Sequence, residues 1–109
     1  MSLARQLQQF TGTSQYYYNP MFKSIKYTDG IKFIGTDHNW LVTDILVILQ
    51  LKLKNQDFVA IKVSPSSKKI SYEDGNDNIL FKQKYAMMDV DCDITLFYTN
   101  GVLMLASEY

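Results

Sequence analysis

The spacing of apolar residues changes near the middle of the chain, and that change most restricts what the chain can fold into. Over residues 39–52, Leu41, Val42, Ile45 and Leu49 gather on one side of a helix turning about 100° per residue, with Thr43, Gln50 and Lys54 nearly opposite. No glycine or proline interrupts this run, and Asp37 or Asn39 can cap it. From Phe58 onward the period is two. Val59, Ile61 and Val63 alternate with Phe58, Ala60 and Lys62, and Ile70 and Tyr72 alternate with Ser71 and Glu73. Ile79, Phe81 and Tyr85 alternate with Leu80, Lys82 and Lys84, and Ile94, Leu96 and Tyr98 with Thr95, Phe97 and Thr99. Turn residues at Ser64-Pro65-Ser66-Ser67, Asp74-Gly75-Asn76 and Asn100-Gly101 separate the runs. The last run, Val102 to Ala106, is apolar on both faces, so both should be covered. Ser2 can cap a short helix through Leu3 and Leu7, and Ser24–Tyr27 and Ile31–Ile34 flank Thr28-Asp29-Gly30 like a short hairpin. The expected fold is α+β and a single domain over residues 1–109. It has an antiparallel β-meander of about five strands, one main helix packed on one face and a short N-terminal helix.

A chain of 109 residues with 47% apolar and 14% aromatic content can bury a core without disulfides. Cys92 is the only cysteine, which excludes an internal disulfide and a multi-thiolate metal site. Eleven basic and eleven acidic residues cancel, so no global field steers the chain toward nucleic acid or an anionic membrane. The N-terminus lacks the pattern of a secretion signal, and Met1-Ser2-Leu3 has the look of a vector leader. The longest apolar-rich stretch, Trp40–Leu53, is interrupted by Thr43, Asp44, Gln50 and Lys52 and is too short to span a bilayer. A cytoplasmic protein with a reduced cysteine is expected, without membrane partners.

Candidate chemistry is sparse. His38 is the sole histidine and is expected in an exposed turn before the main helix. Asp89, Asp91 and Asp93 share the opening of a calcium loop, but Ile94 replaces its glycine and Asn100 its final glutamate. A solvated acidic turn is the better reading. The same carboxylates make Cys92 a poor nucleophile. No glycine-rich phosphate loop, nucleophile elbow or zinc-protease motif is present, so no catalytic residue, metal or cofactor is expected.

Asp44 is the most informative single residue. A carboxylate on an apolar helix flank is costly unless hydrogen-bonded. It either caps a loop or accepts from one of the N-terminal tyrosines, both structural roles, or belongs to a ligand pocket with Tyr16, Tyr27 and Trp40. Leu80, Phe97, Leu103 and Leu105 add more apolar surface than one helix can cover, which points to a homodimer interface. Lys62, Lys69, Lys82 and Lys84 can share the sheet face opposite the helix with Phe58 and Phe97, the pattern of some single-strand binders. The zero net charge ranks nucleic acid last. A small non-enzymatic interaction module comes first, and a small-ligand binder or minimal enzyme around Asp44 second.

Several blocks taken together resemble a known family. They are Leu7–Thr13 with Tyr16-Tyr17, Tyr27–Lys32, Trp40–Ile45, Asp74-Gly75-Asn76, and Asn100–Leu105 with Ser107-Glu108-Tyr109. They resemble an uncharacterised family of short bacterial and phage or plasmid-borne proteins, domain-of-unknown-function family 6876. Ala106 departs from that pattern, where relatives tend to carry proline. The resemblance implies a mobile-element or phage accessory setting and no established activity. It marks Phe10, Thr11, Gly12, Thr13, Tyr27, Asp29, Trp40, Asp44 and Glu108 as positions to test.

Overall fold

The computed structural model describes residues 3–13 and 15–109. The expected Ser2 cap, and Met1 and Ser2 of the expected Met1-Ser2-Leu3 leader, lie outside the described residues. The described elements run α1 (Leu3–Leu7), β1 (Tyr17–Tyr18), β2 (Lys26–Tyr27), α2 (Asp29–Asp37), α3 (Asn39–Leu51), β3 (Phe58–Ser64), β4 (Lys69–Glu73), β5 (Ile79–Lys84), β6 (Ile94–Thr99) and β7 (Val102–Leu105), then a 3₁₀ turn over Ala106–Glu108. The class is α+β. The sheet is mixed and seven-stranded, in the order β1-β2-β7-β6-β3-β4-β5.

The main helix forms where its period places it, and it buries Leu41, Val42, Ile45, Leu46, Ile48 and Leu49. The even-period runs also form strands, with Val59, Ile61, Val63, Ile70, Tyr72, Ile94, Leu96 and Tyr98 all in the core. The expected Ile31–Ile34 strand is instead the middle of α2. Its buried residues Gly30, Ile31 and Ile34 stand on one side at helical spacing. A run of four residues fits either period, and this one lies between a buried Thr28 and the start of α3, with His38 closing one helix and opening the next.

The simple meander is corrected too. β6 pairs with β3, so the segment from Tyr85 to Asp93 crosses from the β5 edge to the middle of the sheet. That pairing sets Ile94, Leu96 and Tyr98 opposite Val63, Ile61 and Val59, joining two fully apolar faces. β5 stays at an edge with a register shift at Tyr72/Glu73, and its residues are only half-buried or exposed. At the other edge β2 runs parallel to β7, with Lys26 opposite Val102. Asn100 and Gly101, with φ of 53° and 75°, form the tight turn between β6 and β7.

The core cluster joins α2 and α3 to one face of the sheet. Strand β7 therefore buries Leu103 and Leu105 but leaves Val102 and Met104 half-covered, so it is not sheltered on both faces. By register the second face carries Phe58, Lys62, Lys69, Thr95, Phe97, Val102 and Met104. Among the described residues that face is half-buried or exposed throughout, apart from its small Ala60 and Ser71, which are buried.

Candidate functional site

Trp40 and Asp44 stand one turn apart on α3 and share a flank. Facing them is the start of the β5–β6 crossover. The Tyr85 hydroxyl donates to Asp44 Oδ2 at 2.9 Å, and the Tyr85 ring meets the Trp40 indole edge-on, centroids 5.4 Å apart. The indole Nε1–H donates to Asp89 Oδ1 at 3.0 Å, and His38 Nδ1 lies 3.3 Å from the same oxygen. His38 is thus not in an exposed turn, since only 16% of its side chain is open to solvent. The crossover is anchored at Tyr85, whose N–H donates to the Lys68 carbonyl at 2.8 Å, and by buried Val90. Trp40, Tyr85, Met87, Met88 and Asp89 together line an open cleft of about 320 Å³.

Asp44 does accept from a tyrosine, but that tyrosine is Tyr85 and not an N-terminal one. Burial pushes the Tyr85 phenol above its ordinary range, and the hydrogen bond and charge of Asp44 add to the shift. Burial does the same to Tyr72, reinforced by Tyr85 and Asp44, and the Tyr72 hydroxyl donates to Gln83 Oε1 at 2.7 Å. A phenol whose folded pKa is raised keeps its proton while the unfolded chain ionises near pH 10, so stability falls as pH rises beyond that value. The urea midpoint should hold steady up to about pH 10 and then decline, less steeply in Tyr85→Phe. Equal slopes in the two proteins would show that Tyr85 is not protected.

The four expected pocket residues do not share one site. Tyr27 stacks on Tyr17 with ring centroids 5.8 Å apart, and it borders a smaller cleft of about 180 Å³ with Lys32, Thr36, Asn39 and Thr43, away from Asp44. Tyr16 is exposed and lines neither cleft. Sequence reasoning misses Tyr85 and Met87, and it reads Asp89 only as part of a solvated acidic turn. The only local signal for them was Trp40 and Asp44 on one flank, because the partners lie 41 and 49 residues away in sequence.

The expected interface residues divide as well. Leu103 and Leu105 are engaged in the chain's own core, 0% and 3% exposed, and present no surface. Leu80 and Phe97 are half-buried. On the open face the Phe97 ring lies 5.2 Å from Phe58 and 5.3 Å from Tyr109, centroid to centroid, and Tyr109 is 73% exposed. Lys62, Lys69, Lys82 and Lys84 occupy the β3–β5 half of that face, where Lys62 pairs with Glu73 at 3.4 Å.

A third cluster gathers around Glu108. Its Oε1 accepts from the Thr28 hydroxyl at 2.6 Å and from the Leu105 N–H at 3.0 Å, and its Oε2 accepts from the Gly30 N–H at 3.1 Å. The carboxylate therefore caps the first turn of α2, where the helix's free N–H groups favour negative charge. Beside it the Asp29 N–H donates to Thr13 Oγ1 at 3.0 Å, the Tyr17 hydroxyl to Asp29 Oδ1 at 3.0 Å, and Ser107 Oγ to the Phe10 carbonyl at 2.6 Å. Cys92 lies elsewhere, and burial followed by Asp91 pushes its thiol up. Among the described residues no group of three or more His, Cys, Asp or Glu side chains could hold a metal ion.

The sequence model of one protein family, described as a family of unknown function (DUF6876), matches residues 1–109. The chain belongs to that family. No curated protein and no solved structure matches it significantly. In this DUF6876 chain the blocks that carried the resemblance sort by location. Phe10, Thr13, Asp29 and Glu108 tie both ends of the chain to α2, which is a structural task. Trp40 lines the cleft, and Asp44 stands behind it as the acceptor of the Tyr85 hydroxyl.

Proposed function

We propose that the protein is a small interaction module that works as a homodimer, with the open sheet face as its contact surface. The observation that carries this reading is the Phe58–Phe97–Tyr109 cluster beside half-exposed Val102 and Met104, on a face where, among the described residues, only Ala60 and Ser71 are buried. An apolar aromatic patch of this kind gains from removal from water. The sheet edges favour face-to-face association over strand addition. β1 has two residues, and β5 carries Lys82 and Lys84. A two-fold axis near Phe97 would pack apolar half on apolar half and keep the lysine-bearing halves at opposite ends.

Sedimentation velocity at micromolar concentration should give a dimer, and Phe97→Asp should give a monomer with an unchanged far-UV spectrum. A clean wild-type monomer overturns the proposal. The concentration of lysines on half of the face favours a second reading, single-stranded nucleic acid stacked on Phe58 and Phe97. Salt-dependent binding of an oligonucleotide that Phe97→Asp abolishes would establish it in place of the dimer. We place the protein in the cytoplasm, as an accessory protein of a mobile element. Among the described residues no helix is long and apolar enough to cross a membrane.

A further inference from the structure

We infer that the cleft between α3 and the β5–β6 crossover binds a small organic cation, an alkylammonium or quaternary ammonium group. Its walls are the Trp40 indole, the Tyr85 phenol and the thioethers of Met87 and Met88, with Met87 84% exposed. Its one charged wall is Asp89, whose side chain is 64% exposed. Among the described residues no lysine or arginine lines it. Both aromatic rings hand their polar hydrogen to a carboxylate, Trp40 to Asp89 and Tyr85 to Asp44. A donor bonded to an anion pushes electron density back into its ring, which strengthens the negative ring face that attracts a cation. Polarizable methionine sulfurs suit the greasy, weakly hydrated methyl groups of such a ligand. An anion meets the opposite conditions, because Asp89 repels it and both side-chain donors of the described walls, Trp40 Nε1 and the Tyr85 hydroxyl, are already given to carboxylates. A neutral apolar ligand gains the walls but not the charge.

The geometry supplies its own reporter, since Trp40 is the only tryptophan. Choline and its uncharged isostere 3,3-dimethylbutan-1-ol are titrated separately at constant ionic strength while Trp40 emission is followed. Choline should give a saturable change in the millimolar range, and the isostere should bind about tenfold more weakly. Asp89→Asn keeps an oxygen for the indole N–H and removes the charge, and it should weaken choline about tenfold while thermal unfolding stays cooperative. Absence of a saturable response, or equal responses to the two compounds, overturns the proposal. So does a folded Asp89→Asn protein that binds choline as the wild type does. If that variant fails to fold, the wild-type comparison decides alone. The cleft lies on the helix-bearing side and the dimer surface on the other, so an oligomeric state unchanged by choline separates the two readings.

Discussion

Glu108→Ala should be among the most damaging single substitutions in this protein, lowering stability by about 3 kcal/mol and the melting temperature by about 15 °C. The side chain sits in the short 3₁₀ turn after β7, outside the main helices and the sheet. Here it takes three hydrogen bonds, from the Thr28 hydroxyl and the N–H groups of Gly30 and Leu105. Thr28 is 2% exposed and Gly30 is buried, so neither donor gains water freely when the carboxylate is removed. Thr28 itself makes no side-chain cap bond to α2, so the helix has no local substitute. Glu108→Gln separates charge from contact. Its single carbonyl oxygen can still serve Thr28 and Leu105, while its amide turns a donor toward the Gly30 N–H, and about half of the loss is expected. Thermal and urea unfolding of the three proteins provide the measurement. A loss below about 1 kcal/mol in Glu108→Ala would show that solvent replaces the carboxylate at this corner.

Glu108 also illustrates which parts of the fold could be read in the chain. Helix α3 and strands β3, β4 and β6 were legible because their apolar periods persist long enough to choose between helix and strand. Periodicity says which face a side chain takes, not which strand lies beside it, and so the crossing from β5 to β6 stayed hidden. Pairing with β3 became visible only when the buried residues of the two strands stood opposite one another. Helix α2 was missed for a different reason. Ile31 to Ile34 is too short to reveal a period, and the group that caps the helix lies 78 residues away from Gly30. The two-residue strands β1 and β2 have no pattern of their own, and they exist because β7 offers an edge. The site followed the same rule. Trp40 and Asp44 could be placed on one flank from their spacing, while Tyr85 and Asp89 reach them through tertiary structure. Tyr16 and Tyr27 looked equally plausible beside Asp44, because aromatic type alone carries no position.

The same corner gives a test in which two glycines of one helix respond with opposite sign. In α2, Gly30→Ala should destabilise the protein by about 2 kcal/mol and Gly35→Ala should stabilise it by about 0.5 kcal/mol. Alanine is the better helix former at both positions, so propensity predicts a gain twice. Packing reverses the first. A Cβ on Gly30 would lie 2.5 Å from Leu105 Cδ1 and 2.6 Å from Glu108 Oε1, inside both atoms' contact radii. To make room, either buried Leu105 must leave its place on β7 or Glu108 must give up the hydrogen bonds that hold α2, and the core resists the first as firmly as the cap resists the second. A Cβ on Gly35 meets only Val42 Cγ2 at 3.5 Å, an ordinary contact between neighbouring helices. Urea midpoints for the two variants, measured side by side, check the sign of each change. A stabilised Gly30→Ala would mean that α2 and β7 are farther apart than the 2.5 Å approach requires, and the hold of Glu108 on the helix would then be looser than its three hydrogen bonds indicate.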